Sequence, residues 1–225
     1  MRRAFDRVER IAEGLGESRM YGGSQFVLGR RAGGRGVRID RVVWCGAVER
    51  ELSRWGKDPR LLRIAAQLLG SREMNQLINQ AHFKLPGDGV EFPWHQDSRH
   101  RRYGRGEWID ANGRGSYVQT VVTIDDMTCD NGPLEFIPGS CKLGHVETAG
   151  EAEGELPRDR VDPREAVTLT MKAGSVLFFG PYVFHRSLPN RSSRPRRVFI
   201  NGFAYPGANS RDYPGEGAGR LLRAS

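Results

Sequence analysis

Apolar residues recur at spacings of three and four along residues 2–15, at Phe5, Val8, Ile11 with Ala12, and Leu15. This predicts an amphipathic helix. Residues 47–55 and 59–69 also read as helical, the second with Pro59 near its first turn and Gly70 as its stop. Between them and the first helix, Tyr21 to Gly36 is rich in Gly and Arg and reads as a loop with at most a short strand. From Met74 the texture changes to short β-rich segments, predicted at 76–84, 90–95, 117–124, 134–137, 167–171, 175–179 and 197–205. Turn signals separate them: Pro86-Gly-Asp-Gly89, Asp130-Asn-Gly-Pro133, Pro138-Gly139, Lys172-Ala-Gly174 and Pro189-Asn190. Gly150–Asp162 is polar and acidic and reads as a surface loop. Helices followed by many short strands predict helices packed on a closed or sandwiched antiparallel sheet, for which a jelly roll of the cupin kind is one solution.

Composition narrows the setting. At 225 residues with 38% hydrophobic and 28% charged positions, the chain can bury a core. Its longest apolar runs, such as Val176–Phe179, fall far short of a membrane span, and Met1-Arg-Arg-Ala-Phe-Asp6 has no apolar stretch of the secretory kind. Cys45, Cys129 and Cys141 form no C-x-x-C pair, which argues against a disulfide framework or structural zinc. A reduced, cytoplasmic compartment is the expectation. The net charge of +8 would suit nucleic acid, but the arginines are scattered from Arg2 to Arg223 without interleaved aromatics. A solvated basic surface is the preferred reading, and no membrane or nucleic-acid partner is expected.

The candidate chemistry lies in Phe92-Pro-Trp-His-Gln-Asp97. On extended backbone, residues i and i+2 point to one side, so His95 and Asp97 can offer an imidazole and a carboxylate to one ion. A second histidine, His185, follows the apolar stretch that begins at Phe178. Two histidines and one carboxylate on one face of a metal form the facial triad of non-haem Fe(II) oxygenases, which leaves positions open for co-substrate and O₂. Pro195-Arg-Arg197 begins the next strand, and a buried arginine there could pair two-pronged with a distal carboxylate.

These residues sit in a longer pattern: Phe83-Lys-Leu-Pro-Gly87, Trp94-His-Gln-Asp97, Thr123-Ile-Asp-Asp126, Asn131-Gly-Pro-Leu-Glu-Phe-Ile-Pro-Gly-Ser140, His185-Arg-Ser187, Pro189-Asn-Arg-Ser192 and Arg196-Arg197. From about Asn75 to Tyr205 the chain resembles the phytanoyl-CoA dioxygenase-like oxygenases. The resemblance implies a single domain over 1–225, mainly β. Its double-stranded β-helix core (jelly roll, cupin-like) would span 74–205, with a helical flank over 1–73 and a C-terminal tail over 206–225. It implies Fe(II) held by His95, Asp97 and His185, and 2-oxoglutarate and O₂ as co-substrates. Arg196 would anchor 2-oxoglutarate, with Arg197 as the alternative because one residue of slip exchanges their faces. Ser187 would assist and Gln80 would line the co-substrate site. Gln80, His82 and Lys84 share one strand face, which places His82 near as well. Relatives that halogenate carry a small residue at the carboxylate position, so Asp97 favours hydroxylation or another oxidation.

Two departures stand out. Cys141 replaces a histidine usual after Ile-Pro-Gly-Ser, away from the metal ligands. The extra strand and helix usual before residues like 2–15 have no counterpart here. The segment 98–116, carrying Arg99-His-Arg-Arg102, is expected to form a lid whose arginines suit a small-molecule substrate with an anionic group. The implied reaction oxidises an unactivated C–H bond and releases succinate and CO₂. A cupin-like binding protein without oxygenase activity and a nucleic-acid-directed oxygenase are the alternatives; substrate identity and oligomeric state stay open.

Overall fold

The computed structural model describes residues 1–31, 36–98, 117–146, 155–156, 160–209 and 212–225. Among the described residues are four α-helices: α1 (Arg2–Leu15), α2 (Cys45–Val48), α3 (Arg50–Trp55) and α4 (Pro59–Leu69). The α1 stripe buries Ala4, Phe5, Val8 and Ala12, as the three-and-four spacing requires. Gly16 ends α1 and Gly70 ends α4, each in the left-handed conformation. Asp58 caps α4 by accepting from the Arg60 N–H, and Pro59 fills the first position, where its missing N–H costs nothing.

The described residues also form twelve strands, numbered in chain order: β1 (Arg19–Tyr21), β2 (Ser24–Arg30), β3 (Val37–Val43), β4 (Glu73–Lys84), β5 (Phe92–His95), β6 (Tyr117–Thr123), β7 (Leu134–Phe136), β8 (Val167–Thr168), β9 (Val176–Phe179), β10 (His185–Ser187), β11 (Arg196–Ala204) and β12 (Arg220–Arg223). They form two antiparallel sheets. The larger has the order β1-β2-β3-β4-β11-β6-β9, with β12 also paired to β4; the smaller has the order β5-β10-β7-β8. The mainly β jelly-roll expectation is met.

Alternation on the larger sheet sorts its two faces. Outward-facing Val42, Ala81, Phe83, Val122 and Phe199 pack against Phe5 and Val8 of α1. Leu62, Ala65 and Leu69 of α4 cover Met74, Val118 and Phe203 further along. A buried amide cluster joins the short helices to this face: Asn201 Oδ1 accepts from Gln76 Nε2 at 2.9 Å and Asn79 Nδ2 at 3.1 Å, while Asn79 Oδ1 accepts the Gly46 N–H at 2.8 Å. The opposite face looks toward the smaller sheet, and the space between the two holds the site.

Several expectations change. The helical flank over 1–73 also contributes β1, β2 and β3, and within the loop expected over 21–36 residues 24–30 form β2. Cross-strand pairing extends the larger sheet there despite the Gly and Arg content, a tertiary gain that local propensity does not register. The tail over 206–225 supplies β12. His185, expected just beyond a strand, lies in β10. Gly150–Asp162 is not wholly a surface loop: Leu156 and Val161 are buried with Trp94, Ile137 and Phe184, and Leu156 N–H donates to the Trp94 carbonyl at 2.7 Å.

Candidate active site

β5 and β10 are neighbours in the smaller sheet, and their register sets His95 directly opposite His185. Directly opposed residues share a face at the shortest cross-strand distance, and the two imidazole centroids are 4.1 Å apart. Asp97, two residues beyond His95, is buried and completes the group. One donor atom from each of the three lies within 4.8 Å of the others. His95 Nδ1 is 2.7 Å from the Pro93 carbonyl and His185 Nδ1 is 3.0 Å from the Val183 carbonyl. A carbonyl only accepts, so each Nδ1 carries the proton and each Nε2 keeps its lone pair for a metal. This donor set suits Fe(II).

The surroundings hold the ligands in place. Phe136 stacks on His185 with centroids 5.5 Å apart, and Phe179 meets it edge-on at 4.9 Å. Gln96, between the two nearer ligands, donates from Nε2 to the carbonyls of Gly144 at 2.7 Å and Tyr182 at 2.6 Å. Its Oε1 accepts the Val146 N–H at 2.9 Å. This clasp fixes the His95–Asp97 segment. The signal for it was present in Trp94-His-Gln-Asp97, but its partners are distant in sequence.

The triad opens into a cavity of about 690 Å³ lined from both sheets. Gln80 and His82 of β4 face it, as the shared-face reading expects, and His82 Nε2 donates to Gln80 Oε1 at 2.9 Å. Ser187 also lines it. Arg196 points into it and is only 2% exposed. Its Nε and Nη2 donate to the Gly132 carbonyl at 2.9 and 2.6 Å. Burial pulls its guanidinium down to about 10. Arg197, one residue on, faces the other way: it donates from Nε and Nη2 to Asp125 at 2.8 and 3.0 Å and from Nη1 to Asp6 at 2.6 Å. Those two carboxylates hold its proton above the usual arginine range. The register therefore brings Arg196 to the cavity with Gln80 and Ser187, and leaves Arg197 outside.

The cavity also has walls that the sequence reading did not assign. Gln119 of β6 lines it, oriented by a 2.7 Å hydrogen bond that the Tyr117 hydroxyl donates to its Oε1. The two-residue period of β6 could have pointed to it. Arg38 and Arg41 of β3 and Tyr213 beyond β11 line it as well, but the first two come from a stretch to which the sequence reading gave no element and the third from the expected tail. Lys84 stands behind Ser187, buried beside Arg196. The expected lid over 98–116, with Arg99, Arg101 and Arg102, lies outside the described residues apart from Ser98.

Comparison with known proteins agrees with this geometry. The phytanoyl-CoA dioxygenase (PhyH) family profile matches residues 2–198. The chain is 31% identical over 168 residues to L-proline trans-4-hydroxylase of Streptomyces griseoviridis, covering 63% of this chain and 58% of that protein. It is 33% identical over 173 residues to ectoine dioxygenase of Bordetella bronchiseptica, covering 66% and 52%. The chain thus spans little more than half the length of these relatives. Its fold is that of EvdO2 from Micromonospora carbonacea, solved with 2-oxoglutarate, at a TM-score of 0.64 and 22% identity over 96% of this chain and 83% of that one. With the match running across nearly the whole sequence, the chain belongs to the phytanoyl-CoA dioxygenase (PhyH) family.

Proposed function

We propose that this protein is an Fe(II)- and 2-oxoglutarate-dependent oxygenase that oxidises a C–H bond of a small molecule. One observation carries the reading: His95, Asp97 and His185 converge within 4.8 Å at a cavity into which Arg196 also points. The family's naming for dioxygenases, and relatives named for proline and ectoine, support the same class of reaction and a substrate of modest size.

Each residue then has a task. Asp97 and the Nε2 atoms of His95 and His185 would hold Fe(II). Arg196 anchors the distal carboxylate of 2-oxoglutarate, with its guanidinium already oriented by Gly132, so little order is lost on binding. Ser187 and the Gln80 amide flank the co-substrate, Gln80 being held by His82. Phe179, Val121, Val198 and Ile200 give the cavity apolar walls that exclude water and shield the reacting groups. When bound, the iron supplies O₂ activation coupled to decarboxylation of 2-oxoglutarate, giving succinate and CO₂.

The test is an anaerobic titration of Fe(II) and 2-oxoglutarate, read by the weak visible charge-transfer band of their chelate. The band is expected in the wild type and lost or weakened in His95→Ala, Asp97→Ala and Arg196→Ala. Its absence from folded, iron-loaded wild type would overturn the reading and favour a binding protein. Where the band forms, succinate release with candidate substrates identifies the reaction.

A further inference from the structure

Lys84 ends β4 directly opposite Arg196 in the β4–β11 register and is 2% exposed. Its Nζ donates to the carbonyls of Ser187 at 3.1 Å and Leu188 at 2.5 Å, where β10 ends. It also lies 5.6 Å from the centre of the Phe92 ring. Its stem packs on Gly132, where an added Cβ would stand 2.7 Å from Lys84 Cδ and 2.8 Å from the Leu188 carbonyl oxygen. Gly132 in turn offers the carbonyl that orients Arg196. Lys84, Leu188, Gly132 and Arg196 thus form one chain of contacts around the inner end of the cavity, with Ser187 on its wall.

The charges in this corner are unbalanced. Among the described residues, neither Lys84 nor Arg196 forms an ion pair with a carboxylate; their close partners are backbone carbonyls. Burying two cations side by side is costly without a counter-charge. Burial, with the charge of Arg196 adding to it, pulls the Lys84 ammonium down to about 6. At that value Lys84 is mostly uncharged near pH 7 when no anion is near; an anion delivered to the cavity side of Arg196 relieves both groups and draws the proton back, so the charge of Lys84 is expressed with the co-substrate bound.

We infer that Lys84 is the second cation of the co-substrate end: a positioning residue that holds Ser187 and Gly132 against Arg196 and adds its charge to the field that retains the distal carboxylate. The inference rests on the oxygenase reading above. Lys84 does not line the cavity, so it acts through Ser187, through Gly132 and across space. Its effect is therefore selective for ligands that carry the distal carboxylate.

That selectivity gives the test. Dissociation constants of 2-oxoglutarate and of 2-oxobutyrate, which lacks the distal carboxylate, are measured anaerobically on the Fe(II)-loaded full chain by the chelate band. Lys84→Met is expected to weaken 2-oxoglutarate roughly tenfold, the effect of one charge several ångströms away in a partly screened interior, and to leave 2-oxobutyrate unchanged. Lys84→Arg, which keeps the charge, is expected to preserve the preference for 2-oxoglutarate. If Lys84→Met fails to fold, Lys84→Gln removes the charge while keeping a donor for the Leu188 carbonyl, and the same loss of preference is expected. Equal weakening of both ligands would reduce Lys84 to a structural residue, and no change in either would remove it from the site; both outcomes overturn the inference. A wild type that forms no chelate with either acid refutes the oxygenase reading itself, and the inference with it.

Discussion

Exchanging Arg196 and Arg197 for methionine one at a time separates the site from the fold, although the two are neighbours in sequence. Arg197→Met removes two hydrogen bonds to Asp125 and one to Asp6. Asp125 is 14% exposed, whereas Asp6 is 49% exposed. Most of the loss therefore falls on Asp125, which keeps the 3.1 Å bond from the backbone N–H of position 197 and a longer, 3.8 Å ion pair with the exposed Arg2. Breaking a pair of this kind costs about 2–4 kcal/mol, slightly below the fully buried case, and the exposed Asp6 contact adds less than about 1 kcal/mol. For a chain of this length that lowers the thermal midpoint by roughly 5–15 °C. Arg196→Met behaves differently: the Gly132 carbonyl loses its donors, at about 1 kcal/mol, but a buried cation without a carboxylate partner is also removed. Its stability is expected to stay within about 1 kcal/mol of wild type, while the 2-oxoglutarate chelate is lost. Thermal or urea unfolding of the metal-free proteins, followed by chelate titration of the folded ones, reads both quantities. The reasoning fails if Arg196→Met is the more destabilised variant, or if folded Arg197→Met cannot form the chelate.

Other changes probe other parts of the structure. Gly202→Ala places a methyl group inside the Tyr117 ring and hydroxyl; it should cost about 1–3 kcal/mol by overpacking and turn Gln119 away from its present orientation, visible in unfolding curves and a crystal structure. Burial raises the carboxyl of Asp88, near Arg31, above the ordinary range. A carboxyl raised in the folded state favours the protonated form there, so its destabilising effect is absent at low pH and appears as pH rises through the unfolded and then the folded pKa. Asp88→Asn should accordingly raise the midpoint at pH 7, with the gain vanishing below pH 4; a gain independent of pH would contradict this. Adding Fe(II) anaerobically should raise the midpoint of the wild type, because binding to the folded state alone adds stability. His185→Ala should abolish that rise, and a chelator should reverse it in the wild type.

Local pattern and chain order determined much of this protein. The helix of residues 2–15, most strands between 76 and 204 and the offer of His95 and Asp97 from one side of an extended segment follow from periods of 3.6 and 2, which the backbone imposes wherever the residues sit. What the sequence could not decide was register. Whether Arg196 or Arg197 meets the cavity depends on how β11 pairs with β4, and a one-residue slip would exchange them. The pairing of His185 with His95 depends likewise on β10 lying beside β5. Strands β1 to β3, β10 and β12 escaped the reading, β2 because its Gly- and Arg-rich stretch resembles loop and β12 because it lies in the expected tail; they are strands because neighbouring strands satisfy their backbone groups. Lys84 shows the limit most plainly. The alternation of β4 places it on the same face as Gln80 and His82, but its charge matters only because the fold buries it opposite Arg196, with no direct ion pair to a carboxylate at either among the described residues.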